Sequence, residues 1–213
     1  MIARGTGYVK GKGAGSRLSA HAKYIEHRSR EPGEERADRA IFSKEANEMT
    51  RREAVTGIMS RAHTHVAYHK LVLSPGKDEP VGNWQQWTRD TMAELEQSKG
   101  MALSWVAVTH RNTENPHVHI VLAGKGQESE TGKDKLVRME AKDYQLLRDA
   151  GARHSERDFY REIQAQTHAL DRQDRTPKEM EPFMREKEKS IELPGISGLN
   201  LMRGQKEDRD FGR

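Results

Sequence analysis

Apolar positions along this chain recur with two different periods, and the alternation between them predicts its elements. "LSAHAKYIEHR" (18–28) reads as a short helix with Leu18, Ala22 and Ile25 on one side. "ANEMTRREAVTGIMSRA" (46–62) repeats the spacing through Ala54, Val55, Ile58 and Met59. "HVAYHKLVLSP" (65–75) is strand-like and stops at the turn-forming "SPGKDEP". The clearest helix is "NWQQWTRDTMAELEQSKG" (83–100): Asn83 is placed as its N-cap, Trp84, Trp87, Thr91 and Leu95 share a face, and Gly100 ends it. "MALSWVAVTH" (101–110) predicts a strand, "RNTENP" a turn and "HVHIVLAG" a returning strand. Two helices follow, near 140–150 and 155–171. Within the charged segment 29–47, "AIFS" is a strand-like piece of a loop.

This order predicts an α+β fold, a central antiparallel or mixed sheet with helices packed on one face. The domain is expected over residues 1–175. Beyond Thr176 the periodicity fails, and 176–213 reads as a polar tail, extended or partly helical. The opening "GTGYVKGKGAGSR" is glycine-rich and basic, without the Gly-Lys-Ser/Thr of a P-loop, and reads as a flexible arm.

Composition narrows the functional classes. Of the 213 residues a third are charged and a third hydrophobic, enough for one core under a strongly solvated surface. The net charge of +4 suits a polyanionic partner without requiring one. With no cysteine, disulfides and thiolate metal sites are excluded, so a metal must be held by His, Asp or Glu. The apolar runs are strand-length and the N-terminus has no signal-peptide core, so a cytoplasmic protein with no membrane association is expected.

The strongest chemical signal is "HRNTENPHVHIVLAG" (110–124). In a strand, His117, His119 and Val121 point one way and Val118, Ile120 and Leu122 the other, so the second set can supply a core. The two imidazoles stand about 7 Å apart at their Cα atoms. If the preceding strand returns through the Asn-Pro turn as a hairpin, His110 lands beside them. Three histidines with open coordination positions would suit a catalytic metal; histidines on an edge strand are the plainer alternative. "AHTHVAYH" carries a second His-x-His, His63 and His65, with polar Thr64 between and no third histidine returning from an adjacent turn. That pair is read as a decoy.

Five tyrosines are available as nucleophiles: Tyr8, Tyr24, Tyr68, Tyr144 and Tyr160. Tyr24 sits among His21, Lys23, His27 and Arg28. A phenol there can attack a phosphodiester when a cation offsets the developing charge; a half-buried core aromatic is the plainer alternative.

Together these residues resemble the HUH endonucleases, and within them the relaxase/mobilisation nucleases of plasmid conjugative transfer. The signature is His, six residues, His, a hydrophobic residue, His, written here as "HRNTENPHVH", with a tyrosine near the N-terminus in "AKYIEHR". "LVLSPG" before a long helix is similar to the family's middle motif, whose serine would be Ser74. The resemblance spans roughly residues 1–170 and implies a ferredoxin-like core. It implies a strand-specific DNA relaxase in which His110, His117 and His119 hold a divalent ion and Tyr24 attacks the scissile phosphate. A 5′-phosphotyrosine link and a free 3′-hydroxyl would result, and reversal would rejoin the strand. Imidazole donors favour Mn²⁺ or Zn²⁺ over Mg²⁺, which abundance favours. Many members carry an acidic residue two positions after the first histidine; Asn112 stands there and brings no charge to orient a ligand.

The implied partner is single-stranded DNA at an origin of transfer, with accessory mobilisation proteins. Lys10, Lys12, Arg17, Lys23 and Arg28, with Ser74 and Asn112, are the expected substrate-binding residues. Two other readings stay open. A rolling-circle replication initiator would use Tyr160 in "RDFYREIQ", although Ile163 and Gln164 stand where such proteins place a lysine or second tyrosine. A non-catalytic module would keep the histidines to hold a structural metal.

Overall fold

In a computed structural model, residues 1–27, 39–76, 81–111 and 115–173 are described. The strands are β1 (Ile2–Val9), β2 (Phe42–Ser43), β3 (Tyr68–Ser74), β4 (Met101–His110), β5 (His117–Glu128) and β6 (Asp134–Leu136). The helices are α1 (Ala14–His27), α2 (Arg51–Ser60), α3 (Trp84–Lys99) and α4 (Ala141–Gln173). The strands form one antiparallel sheet in the order β1-β3-β5-β4-β2, with β6 added to β5. The α+β class with a central antiparallel sheet is therefore as expected.

Helix placement is not. Leu71, Leu73, Leu103, Trp105, Ala107, Val118, Ile120 and Leu122 pack with Trp87, Met92 and Leu95 of α3 and Leu147 of α4. The alternate residues, Tyr68, Val121, Ala123 and Val108, pack instead with Ala14, Leu18 and Ile25 of α1 and Ala54 and Ile58 of α2. Helices thus cover both faces, because the central strands are apolar on both. The second face turns polar toward the β4–β5 turn, where the histidines stand.

Local signals explain most boundaries. Thr50 caps α2 in a reciprocal box with Glu53. Asn83 accepts from Gln86 N to cap α3, and Gly100 closes that helix at φ 60°, a left-handed conformation that suits glycine. The glycine-rich opening is not a flexible arm: residues 2–9 form edge strand β1, and α1 begins by residue 14. Glycines serve that strand directly, since its pairing with β3 is irregular between Gly5 and Gly7, and Gly7 adopts φ 124°. The helices expected near 140–150 and 155–171 are one continuous helix, α4.

By contacts within the chain, Met1–Gln166 forms one unit and Thr167–Arg213 a second. Only residues 167–173 of the latter are described, as the end of α4, so the tail at 176–213 lies outside the described residues. Among the described residues no helix is long and apolar enough to cross a membrane.

Candidate metal centre

The β4–β5 hairpin pairs His110 with His117 and Val108 with His119 as direct cross-strand neighbours. Even spacing along both strands then puts all three imidazoles on the α1 side, opposite the face of Val118 and Ile120. Their ring centroids are 5.1 Å (110–117), 5.0 Å (110–119) and 4.8 Å (117–119) apart. One nitrogen from each lies within 4.8 Å of the others. Among the described residues this is the group of three or more such side chains that can hold a metal ion.

Hydrogen bonds fix which nitrogen each ring offers. His110 is buried, and its Nε2 lies 2.7 Å from the carbonyl oxygen of Ile25. A carbonyl only accepts, so Nε2 carries the proton and the ligating lone pair is on Nδ1. His117 Nδ1 likewise donates to the Asn115 carbonyl at 2.7 Å, leaving Nε2 as the ligand atom. His117 Nε2 and His119 Nε2 are 3.1 Å apart. Two imidazoles bound to one ion at about 2.0–2.1 Å show a nitrogen separation of about 3.0–3.4 Å. The donor set therefore fits a divalent transition ion, with backbone carbonyls in the orienting positions that ligating histidines use.

The strands that carry the histidines bring almost no negative charge. β3 and β4 contain no Asp or Glu, and β5 contains one only at its far end, Glu128. No carboxylate from these strands competes with an incoming phosphate for the ion.

Helix α1 meets this cluster through two contacts. Ile25 supplies the carbonyl bound by His110, and His21 sets its ring edge-on to His119 with centroids 6.3 Å apart. Burial lowers the His21 pKa from its ordinary value, and the Lys70 ammonium lowers it further. Tyr24 lies between these two anchors in sequence and is 57% exposed. His21 and Tyr24, three apart on a helix, are surface neighbours. The His21 contact lies outside the expected site; its signal in the sequence is the i, i+3 spacing to Tyr24.

Residues 24–158, more than half of the chain, match the family described as "Relaxase: MobA/VirD2-like, nuclease domain". The chain belongs to this family. No curated protein matches it significantly. The relaxase match makes it a DNA-nicking enzyme, begins at Tyr24 and includes all three histidines.

The other expected site residues of this relaxase are distributed less tightly. Ser74 is buried, and its hydroxyl donates to the Pro116 carbonyl at 2.7 Å, bracing the turn just before His117. Arg17 Nη2 donates to the Lys10 carbonyl at 2.7 Å and ties α1 to the end of β1. Lys10, Lys12 and Lys23 are exposed. Arg28 and Asn112 lie outside the described residues. The His63 and His65 rings lie tilted at 34° with centroids 5.4 Å apart, where the His65 N–H donates to His63 Nδ1.

Proposed function

We propose that this relaxase nicks single-stranded DNA at a transfer origin through Tyr24, with a divalent ion held by His110, His117 and His119. The carrying observation is the His110–Ile25 hydrogen bond, which joins the histidine cluster to the residue next to an exposed tyrosine. A bound ion supplies positive charge to the non-bridging oxygens of the scissile phosphate. The chain's own residues do the rest. His110 and His117 keep their ligating nitrogens unprotonated by donating their other ring N–H to carbonyls. Tyr24 Oη gives up its proton to solvent and forms a bond to phosphorus as the bond from phosphorus to O3′ breaks. The phosphate stays on the tyrosine as a 5′-phosphotyrosine, and the leaving oxygen takes a proton to become a 3′-hydroxyl. Attack by that hydroxyl on the phosphotyrosine restores the strand without another energy source.

Mn²⁺ is the ion we assign first on donor chemistry, Mg²⁺ on abundance, with Zn²⁺ as the further candidate. The catalytic domain is taken as residues 1–175, acting on cytoplasmic DNA with accessory mobilisation proteins.

Tyr160 is the competing nucleophile, and it too is exposed. Its helix argues against it. α4 packs through Leu147 on the face away from the histidines, with Trp87 Nε1 donating to Gly151 O at 2.8 Å. Arg157 then pairs with Asp90 of α3, three residues before Tyr160. Tyr24→Phe and Tyr160→Phe, each incubated with single-stranded origin DNA and Mn²⁺, separate the readings. Loss of the denaturation-resistant adduct in Tyr24→Phe alone supports the proposal. Loss in Tyr160→Phe alone makes the protein an initiator-type nuclease, and no adduct with the unaltered chain leaves a DNA-binding module.

A further inference from the structure

The histidine face continues beyond the histidines toward the sheet edge, and two cations stand on that extension. The register runs Arg4, Val72, His119, Val108 straight across four strands. Ala3 belongs to the opposite core, so Arg4 projects on the same side as His119. Lys70 pairs with Gly7 on one side and Val121 on the other, two residues along β5 from His119. Val121 packs with α1 residues, which places Lys70 on this face as well. With strands about 4.8 Å apart, both cations have Cα atoms within about 10 Å of the His119 Cα. Arg4 is exposed and Lys70 partly so. Lys70 is close enough to His21 to help lower its pKa.

Among the described residues, little negative charge balances them. The first 25 residues contain no Asp or Glu. On the two helices packed against this face, Glu26 pairs with Arg51 at 3.0 Å and Glu53 is held in the Thr50 cap. One exposed and one partly exposed cation, level with a metal-binding row and on strands that themselves contain no carboxylate, fit the backbone of an extended polyanion.

We propose that Arg4 and Lys70 are positioning residues that bind phosphates beside the scissile one and so lay the DNA strand across β1 and β3 toward His119. This rests on the DNA-nicking reading above and adds the path of the strand on the sheet. Arginine suits the exposed edge, where its fork grips two phosphate oxygens; lysine supplies a point charge nearer α1.

The test is equilibrium binding of a fluorescent mixed-sequence single strand by the full chain, with Mn²⁺, over a series of salt concentrations. Phosphate contacts are independent of sequence, so the origin itself is not needed. Arg4→Gln and Lys70→Gln should each weaken binding about fivefold at low salt. Each should also flatten the log–log salt dependence by about 0.7. Lys142→Gln, on α4 and paired with Glu140, should change neither. The Mn²⁺-induced rise in Tm should stay as in the unaltered chain, which separates a binding defect from damage to the metal site. Unchanged affinity and slope in both variants overturn the proposal, even if the unaltered chain forms its tyrosine adduct. If that chain binds DNA through these residues yet forms no adduct, the nicking reading fails and the strand path stands. If it binds no DNA, both fail.

Discussion

His110 and Ile25 are 85 residues apart in sequence, yet the imidazole Nε2 of one lies 2.7 Å from the carbonyl oxygen of the other. That bond orients a ring of the candidate metal site and also holds α1 against β4. The hydrogen-bond contacts of His117 are local, to Asn115 and His119, each two residues away. The two histidines should therefore respond differently to removal. His110→Ala deletes a buried side chain and the donor to Ile25, and should cost about 2–3 kcal/mol without metal. His117→Ala should cost under about 1 kcal/mol. Both should lose the Tm increase that Mn²⁺ gives the unaltered chain, and EDTA should abolish it there. Thermal unfolding with and without Mn²⁺ checks all three. An undiminished Mn²⁺ response in His117→Ala would remove it from the ligand set.

Much of this arrangement is legible in the sequence because short-range rules govern it. The hairpin register follows from an apolar alternation and one Asn-Pro turn, and that register alone brings His110 opposite His117. The α3 boundaries follow from Asn83 and Gly100. Helices on both faces depart from the expected single layer, although a sign of them is present. "KLVL" and "HIVLAG" are continuous apolar runs, which strands carry when both faces are buried. β1 escapes a local reading because its two glycines, Gly5 and Gly7, disfavour strands, and its partner β3 comes only after two intervening helices. No spacing rule gives the Ile25 carbonyl as a partner of His110, because that contact exists only after α1 docks.

Among the glycines of the sheet, Gly124 leaves the least room for a side chain. A Cβ built there would fall inside the carbonyl group of Val66 and press on that of Ala67. The same glycine donates its N–H to Ala67 O at 2.9 Å and accepts from Val137 N at 2.9 Å. Neither segment can retreat without losing one of these bonds. Gly124→Ala should destabilise the fold by about 3 kcal/mol or more. Gly57, with nothing near a built Cβ and a helical position, is the control. Gly57→Ala should stabilise slightly, by up to about 1 kcal/mol. Chemical denaturation of the two variants measures the contrast.

Asp143 ties the start of α4 to the end of α3. Its carboxylate is buried, 2.8 Å from Lys99 Nζ, and also accepts from Glu140 N at 2.7 Å. Asp143→Asn keeps an oxygen for Glu140 but leaves the Lys99 ammonium, 13% exposed, without its counter-charge. The expected cost is about 2 kcal/mol, below that of a fully buried pair because solvent reaches Lys99. Combining Asp143→Asn with Lys99→Met should recover part of the loss. A double-mutant cycle reads the coupling, and purely additive losses would mean the pair contributes nothing.

His69 should give the fold a pH dependence separate from the metal site. It lies on β3 facing the α3–α4 core, with Nε2 donating to Val137 O at 2.9 Å. Burial is the main cause that lowers its pKa below the ordinary 6.5; the Val137 bond opposes this, and the Lys99 charge adds to the lowering. The Tyr8 ring lies beside it at 6.3 Å, and the Lys99 ammonium that acts on it is paired with Asp143. As pH falls through 6.5 the unfolded chain protonates this residue while the folded chain resists. The unfolded state then binds more protons, so stability drops as pH decreases, from 6.5 down to the lowered folded pKa. His69→Gln keeps a donor for Val137 and removes the titration. Its Tm should fall less than that of the unaltered chain as pH is lowered from 6.5 to about 5, both measured in EDTA. Parallel Tm profiles would show that His69 is not the residue responsible.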